Sequence, residues 1–261
     1  MKRTAICLLL TGLLAGCGGT NPTPPSGGGS GGSGGGGSGG SGGGGGSGGG
    51  NWLAGDHGTL AASPDGEHYS AATSGTGADL YSLFCVGHEH GWAAGAGGEL
   101  LATSDGGATW TRYATGVTTA LRAVAFADFA VGVAVGDAAT LLSSRDGGMH
   151  WSPAVVDFGG AGAVDLRAAA FANASPLAWV VGDGVVLRSD DGGAHFATVS
   201  GVSANGWHGV RFADDAAHGV MVGDGGEVML SSDGGLHWQA AASAPGDLRG
   251  VAISDDGSRI V

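Results

Sequence analysis

Residues 103–110 read TSDGGATW, and nearly the same phrase returns as SRDGGMHW (144–151), SDDGGAHF (189–196) and SSDGGLHW (231–238). A diverged copy, SPDGEHY (63–69), precedes them. The reference carboxylates Asp65, Asp105, Asp146, Asp191 and Asp233 stand 40, 41, 45 and 42 residues apart. One DGG marks a turn; four in register with a diverged fifth copy, at a period near forty, mark a repeat architecture.

Reading outward from the turn, each unit resolves into four short β segments. The first is apolar: LYSLFC (80–85), LRAVAF (121–126), LRAAAF (166–171), WHGVRF (207–212) and LRGVAI (248–253). The second closes on Gly-Asp or a variant: WLAGD, WAAGA, VAVGD, WVVGD and VMVGD. The third runs into the DGG turn, as in GELLATSD and ATLLSSRD, and the fourth begins at the aromatic, as in WTRYAT and WSPAVV. Short segments punctuated by turn residues at even spacing indicate an all-β array, and recurrent glycine disfavours helix. Four antiparallel strands per unit make a propeller blade, whose faces become a core only against neighbouring blades. The fold class is therefore an all-β propeller with five blade units over residues 51–261. Leu248–Ile253 could close a ring of five by joining the N-terminal three-strand blade. The following DDGSRIV opens a further second strand and favours a longer ring of which this chain is part.

The turn itself is read as structural. An aspartate accepts hydrogen bonds from backbone N–H groups of its own loop, and paired glycines take positive φ without steric cost. The aromatic then buries its ring and hooks the loop to the blade. Asp65, Asp105, Asp146, Asp191 and Asp233, with Trp110, Trp151, Phe196 and Trp238, are the expected structural set. They resemble the Asp-box (BNR) repeat, S-x-D-x-G-x-x-W. The longer phrase G-D-G-G-x-[LV]-x-x-S-x-D-G-G-x-x-W is similar to that of the photosystem II assembly and stability factor family, bacterial relatives included. The resemblance implies a non-catalytic scaffold that binds protein partners of a membrane complex.

The first fifty residues are of a different kind. MKR followed by AICLLLTGLL is a basic n-region and a short apolar h-region, too short to span a bilayer as a helix. Residues 14–17, LAGC, resemble the bacterial lipobox, which implies cleavage after residue 16 and acylation of Cys17. Residues 17–50 then form a Gly/Ser-rich tether with nothing to bury, expected to be disordered, with an r.m.s. reach of about 30 Å. The expected address is the cell envelope, at the outer membrane, through the lipid. Cys7 would leave with the leader and Cys17 would carry lipid, so Cys85 is expected to lack a disulfide partner. Net charge is −13, and all positive side chains beyond Arg3 are arginines, which argues against nucleic acid as a partner.

Asp-boxes occur in sialidases, so a carbohydrate-binding or sialidase-like hydrolytic propeller is the alternative function. The family's Arg-Ile-Pro segment is missing. Tyr69, Tyr81 and Tyr113, with Glu67, Glu89, Glu99 and Glu227, suggest no nucleophile–base pair, so no catalytic residue is assigned. His88-Glu89-His90 lacks a third ligand by spacing, and His68, His150, His195 and His237 read as turn decoration; neither metal nor cofactor is expected. One position is less bland. Tyr81, Arg122, Arg167, His208 and Arg249 are each the second residue of an inner strand, and would ring the channel on the face opposite the DGG turns. Two readings stay open: a protein-binding rim, or local ion pairs with Asp165 and Asp247.

Overall fold

The computed structural model describes residues 15–17, 51–63, 68–87, 89–160, 162–172, 175–241 and 243–261. Asp65, Glu67 and His88, and the expected tether over 18–50, lie outside the described residues. The described residues form five sheets following one another along the chain, antiparallel but for one outer pairing. Blade II is Leu80–Val86, His90–Gly95, Leu100–Thr103 and Thr111–Arg112. Blade III is Leu121–Phe126, Gly132–Gly136, Leu141–Ser144 and Ser152–Pro153. Blade IV is Leu166–Phe171, Ala178–Gly182, Val185–Ser189 and His195–Thr198. Blade V is Trp207–Phe212, Gly219–Gly223, Val228–Ser231 and Gln239–Ala240.

Burial falls off from inner to outer strand, which explains the residue choice. Second strands are buried along nearly their whole length because blades press on both faces: GVAVG and AWVVG have no exposed position. Fourth strands such as Thr111–Arg112 are exposed throughout and only two residues long. The core is a series of seams rather than one centre. Leu121, Val124, Phe126, Trp92 and Leu100 fill the II–III seam, and Trp179, Val181, Trp207, Val210 and Met221 fill the IV–V seam.

Blade I carries Asn51–Ala54, Leu60–Ser63 and Ser70–Ala72, and its inner place is taken by Ala15–Cys17. The longer step between Asp146 and Asp191 also has a cause. Val155–Asp157 leaves blade III and pairs in parallel with His195–Ala197 on the outer edge of blade IV. No strand of blade V pairs with blade I among the described residues. Leu248–Ile253, expected as an inner strand, packs Val251 against Val220 and Val222 of blade V, and its Leu248 N–H donates to the Gly223 carbonyl at 3.0 Å; it then meets the end of DDGSRIV antiparallel, through the Ile253–Ile260 bridge and the paired backbone bonds of Ala252 and Val261 at 2.8 and 2.9 Å. Cys85 is disulfide-bonded, which corrects the expectation of a solitary thiol; its mate is not among the described side chains.

Candidate functional site

The rim is built by one device repeated in four blades. Between the first two strands the register slips, and the unpaired residue is Tyr81, Arg122, Arg167 or His208. An extra residue in a strand leaves the ladder and re-aims its side chain. The slip also presses the two backbones together. A Cβ on Gly95, Gly136, Gly182 or Gly223 would lie 1.9–2.3 Å from a carbonyl oxygen of the residue before the first strand. That contact is why these four positions are glycine.

The carboxylate one residue later then receives the bulged side chain. Arg122 donates through Nε and Nη2 to Asp137, both at 2.7 Å, and Arg167 to Asp183 at 2.6 and 2.8 Å. His208 Nε2 lies 2.6 Å from Asp224. Blade II has Ala96 where the others have aspartate, so Tyr81 has no carboxylate there and instead lies under the Arg122 guanidinium, 4.8 Å from its ring centroid. The hydrogen bond to Asp137 raises the Arg122 pKa and, reciprocally, holds Asp137 below the usual carboxylate range. Arg167 is raised by Asp183 in the same way.

These partners differ from those expected of local pairing. Asp165 does not hold Arg167; it accepts the Ala138 N–H of blade III at 2.9 Å, tying two blades. Asp79 does the same for His57 N–H of blade I, at 2.8 Å. Only Arg249 meets the aspartate two residues before it, Asp247, at 3.4 Å. The arginines are thus a ring of ion pairs rather than free cations. Each remains partly exposed: Arg122 39 %, Arg167 36 %, Arg249 63 %. Each forked pair keeps the outer Nη1 edge of its guanidinium uncommitted to the carboxylate.

On the opposite face the DGG turns share one hydrogen-bond set. In blade III, Ser144 Oγ donates to Asp146 and accepts the Gly148 N–H, both at 2.9 Å, while Asp146 accepts the His150 N–H at 2.9 Å. Trp151 Nε1 donates to the Gly148 carbonyl at 2.8 Å, and its ring meets Phe126 edge-on. Gly147 and Gly148 have φ of 76° and 84°, the left-handed region. Asp105, Asp191 and Asp233 repeat the arrangement with Thr103, Ser189 and Ser231, and Trp110, Phe196 and Trp238 are the aromatics of those units. The Thr/His position is more than decoration. Thr109 Oγ1 donates to Asp105, and His150, His195 and His237 bring Nδ1 within 2.5–2.6 Å of Asp146, Asp191 and Asp233. The hydrogen bonds of Thr109 to Asp105 lower that carboxyl to about 2, and those of His150 and His237 do the same for Asp146 and Asp233. At Asp191 burial pulls the other way, yet the His195 and Ser189 bonds still hold it well below the usual range.

A second role escaped the sequence reading. Trp92 and Trp179, at the start of second strands, cross the seam and donate Nε1 to Gly147 and Gly234 of the next blade's turn, at 2.8 and 3.2 Å. The signal was the tryptophan heading WAAGA and WVVGD, where the III–IV seam has only Val133 against Gly193. Among the described residues no group of three His, Cys, Asp or Glu side chains could hold a metal ion, and no helix is long and apolar enough to cross a membrane.

Solved structures share this architecture. One of YCF48 from Cyanidioschyzon merolae is 17% identical, with a TM-score of 0.59, over 78% of this chain and 73% of that one. The GH74 xyloglucanase from Xanthomonas campestris is 15% identical, TM-score 0.65, over 81% of this chain but only 41% of the enzyme. The WD40 propeller domain of Doa1 is 13% identical, TM-score 0.62, over 79% of this chain and 69% of that domain. At such identities the likeness is one of fold, and it includes enzymes and non-enzymes alike. No curated protein matches the sequence. Residues 108–257, more than half of the chain, match the family described as Photosynthesis system II assembly factor YCF48, and the chain belongs to that family.

Proposed function

We propose that this chain is a non-catalytic scaffold, held at a membrane surface by a lipid on Cys17, that binds a protein partner through its inner rim. The observation carrying the reading is the repeated bulge that turns Tyr81, Arg122, Arg167 and His208 out of the ladder at one end of the channel. Family membership supports an assembly role, and the lipobox-like LAGC supports the anchor. Arginine suits such a rim because its planar fork can hold one carboxylate and still offer an edge to a second or to an aromatic. The Asp137 and Asp183 pairs present that edge in fixed geometry, so docking orders fewer rotamers than a free side chain would.

The test neutralises rather than reverses charge, since a glutamate at 122 or 167 would face its own aspartate. The variant Arg122→Gln, Arg167→Gln, Arg249→Gln should lose partner capture from native membranes by about tenfold or more. Exposed ion pairs contribute roughly 0–1 kcal/mol each, so its melting temperature should fall only slightly. Unchanged capture of the partner that the wild type binds would remove the rim from the proposal. Glycan-array binding that survives in the triple variant would favour the carbohydrate-binding alternative instead.

A further inference from the structure

The seam between blades IV and V opens at its outer radius into a groove of about 380 Å³, walled by the fourth strand of blade IV and by Leu236 on the DGG turn of blade V. Two of its residues depart from the repeat. Where blade IV has Arg188 the other blades have Ala62, Ala102, Ser143 and Leu230. Where it has Asp190, blades II, III and V have Ser104, Arg145 and Ser232. Arg188 Nε donates to the Gly234 carbonyl at 2.9 Å, yet Trp92 reaches the equivalent Gly147 with Ala102 in the arginine's place, so the turn does not require it. Among the described residues, neither the two Nη groups of Arg188 nor the Asp190 carboxylate has an ion-pair partner. We infer that this groove is a peptide-binding site, separate from the rim, that takes an extended segment whose alternate residues are basic, acidic and aliphatic.

Strand alternation sets the order of the groups. Ser189 is buried and turns its hydroxyl to Asp191, so Arg188 and Asp190 on either side of it share the opposite face. Ala197 lies opposite Arg188 in the ladder, and two residues further on the half-buried Val199 pairs its N–H with the Val186 carbonyl at 2.8 Å. From the DGG end the wall thus reads anion, cation, apolar: Asp190, Arg188, Val199, with the exposed Leu236 across from them. The step between neighbours is roughly 6.5 Å, which is also the spacing of alternate side chains in an extended peptide. The Gly234 bond holds the guanidinium by Nε and leaves its Nη pair to fork onto a carboxylate. A second acidic residue placed at the DGG end would face Asp190, so a polyacidic segment is rejected. The platform is also stiffer than its counterparts. Val155–Asp157 pairs along its outer edge, and this fourth strand runs for four residues where those of blades II, III and V have two. A wall fixed in advance orders less on binding.

The probes are the end-capped peptides Lys-Ala-Glu-Ala-Leu and its reverse, since the groove fixes the order of groups but not the chain direction. Each is titrated calorimetrically into the full-length protein, beside a copy with glutamine for glutamate and a copy with glutamate for lysine. The better-bound peptide should bind the wild type about tenfold tighter than its glutamine copy, and also tighter than its all-acidic copy. Arg188→Leu should bind the glutamate and glutamine peptides equally, and Asp190→Ser should no longer prefer lysine to glutamate. Both variants install residues that the repeat itself uses at those positions, Leu230 in one case and Ser104 and Ser232 in the other, so the blades should fold as before. The rim variant Arg122→Gln, Arg167→Gln, Arg249→Gln should bind the peptide as the wild type does, whatever its effect on partner capture. No binding at roughly 1 mM peptide, equal binding of the glutamate and glutamine peptides by the wild type, or a preference for glutamate that survives in Arg188→Leu overturns the site. Loss of peptide binding in the rim variant overturns it too, by moving the peptide to the rim.

Discussion

The turn joining the second and third strands offers a two-way test of how the rim is held. In blade V it is Asp224-Gly225-Gly226, with φ of 64° and 73° at the glycines; in blade III it is Asp137-Ala138-Ala139, with φ of 55° and 58°. An L-residue in this region costs roughly 1–2 kcal/mol. A Cβ at Gly226 would lie 1.7 Å from the Ala244 carbonyl oxygen, whereas blade III has the longer connection through Val164, whose carbonyl accepts the Ala139 N–H at 2.7 Å. Gly226→Ala therefore adds the backbone strain and displaces Ala244, whose N–H donates to the Gly226 carbonyl at 3.0 Å. Together these cost about 2–3 kcal/mol, or a fall in melting temperature of roughly 5–10 °C. The reverse change, Ala139→Gly, relieves the strain but loosens the unfolded chain by about 0.5–1 kcal/mol. The net gain is about 0.5–1 kcal/mol, seen as a rise of roughly 1–4 °C in a calorimetric or circular dichroism melt. A lower melting temperature for Ala139→Gly, or none lost by Gly226→Ala, would refute the assignment of strain to blade III.

Acid should unravel the DGG turns. Asp105, Asp146 and Asp233 have carboxyls lowered from 3.8 to about 2 by their loop hydrogen bonds. The stability they contribute is complete above the unfolded value near 4 and is lost as pH falls toward 2, so melts between pH 5 and 2 should decline across that window and be flat just above it. Trp92→Phe keeps the ring on Phe126 and removes the N–H donated to Gly147; urea melts should show a loss of about 1 kcal/mol or somewhat more, while Trp110→Phe should cost less, since Trp110 Nε1 has no hydrogen-bond partner among the described residues. Cys17→Ser should move the protein from the membrane to the soluble fraction, and retention after a high-salt wash would end the lipid-anchor proposal.

Much of this fold was legible because a propeller repeats its instructions. The DGG turns, the four-segment units and the rim position were all visible as spacing. What spacing could not show was which aspartate each arginine would meet. Asp165 is closer in sequence to Arg167 than Asp183 is, but the bulge at Arg167 rotates the side chain toward the end of the second strand. Cross-blade contacts were hidden for the same reason: the Trp92 and Gly147 partners are 55 residues apart, and only the stacking of blades joins them. The Thr/His position misled because threonine and histidine share no size or shape. They share a donor, and Asp105 and Asp146 use it identically. The inner place of blade I could not be anticipated, since Ala15–Cys17 carries no trace of the inner-strand pattern.

The strand Val155–Asp157 alters how the molecule comes apart. Repeat arrays usually open one unit at a time, since each touches only its neighbours. Here a segment that leaves blade III is clasped to the outermost strand of blade IV, and Thr198 Oγ1 donates to the Asp157 carbonyl at 2.9 Å beyond the ladder itself. The seam between those blades is also filled by Val133, Val135, Leu166, Val180, Leu187 and Phe196. Opening either blade must therefore break contacts at both the inner and the outer radius. Blades III and IV should behave as a single cooperative block in native-state hydrogen exchange, with one shared opening free energy, while blade II and blade V exchange as separate units on either side of it.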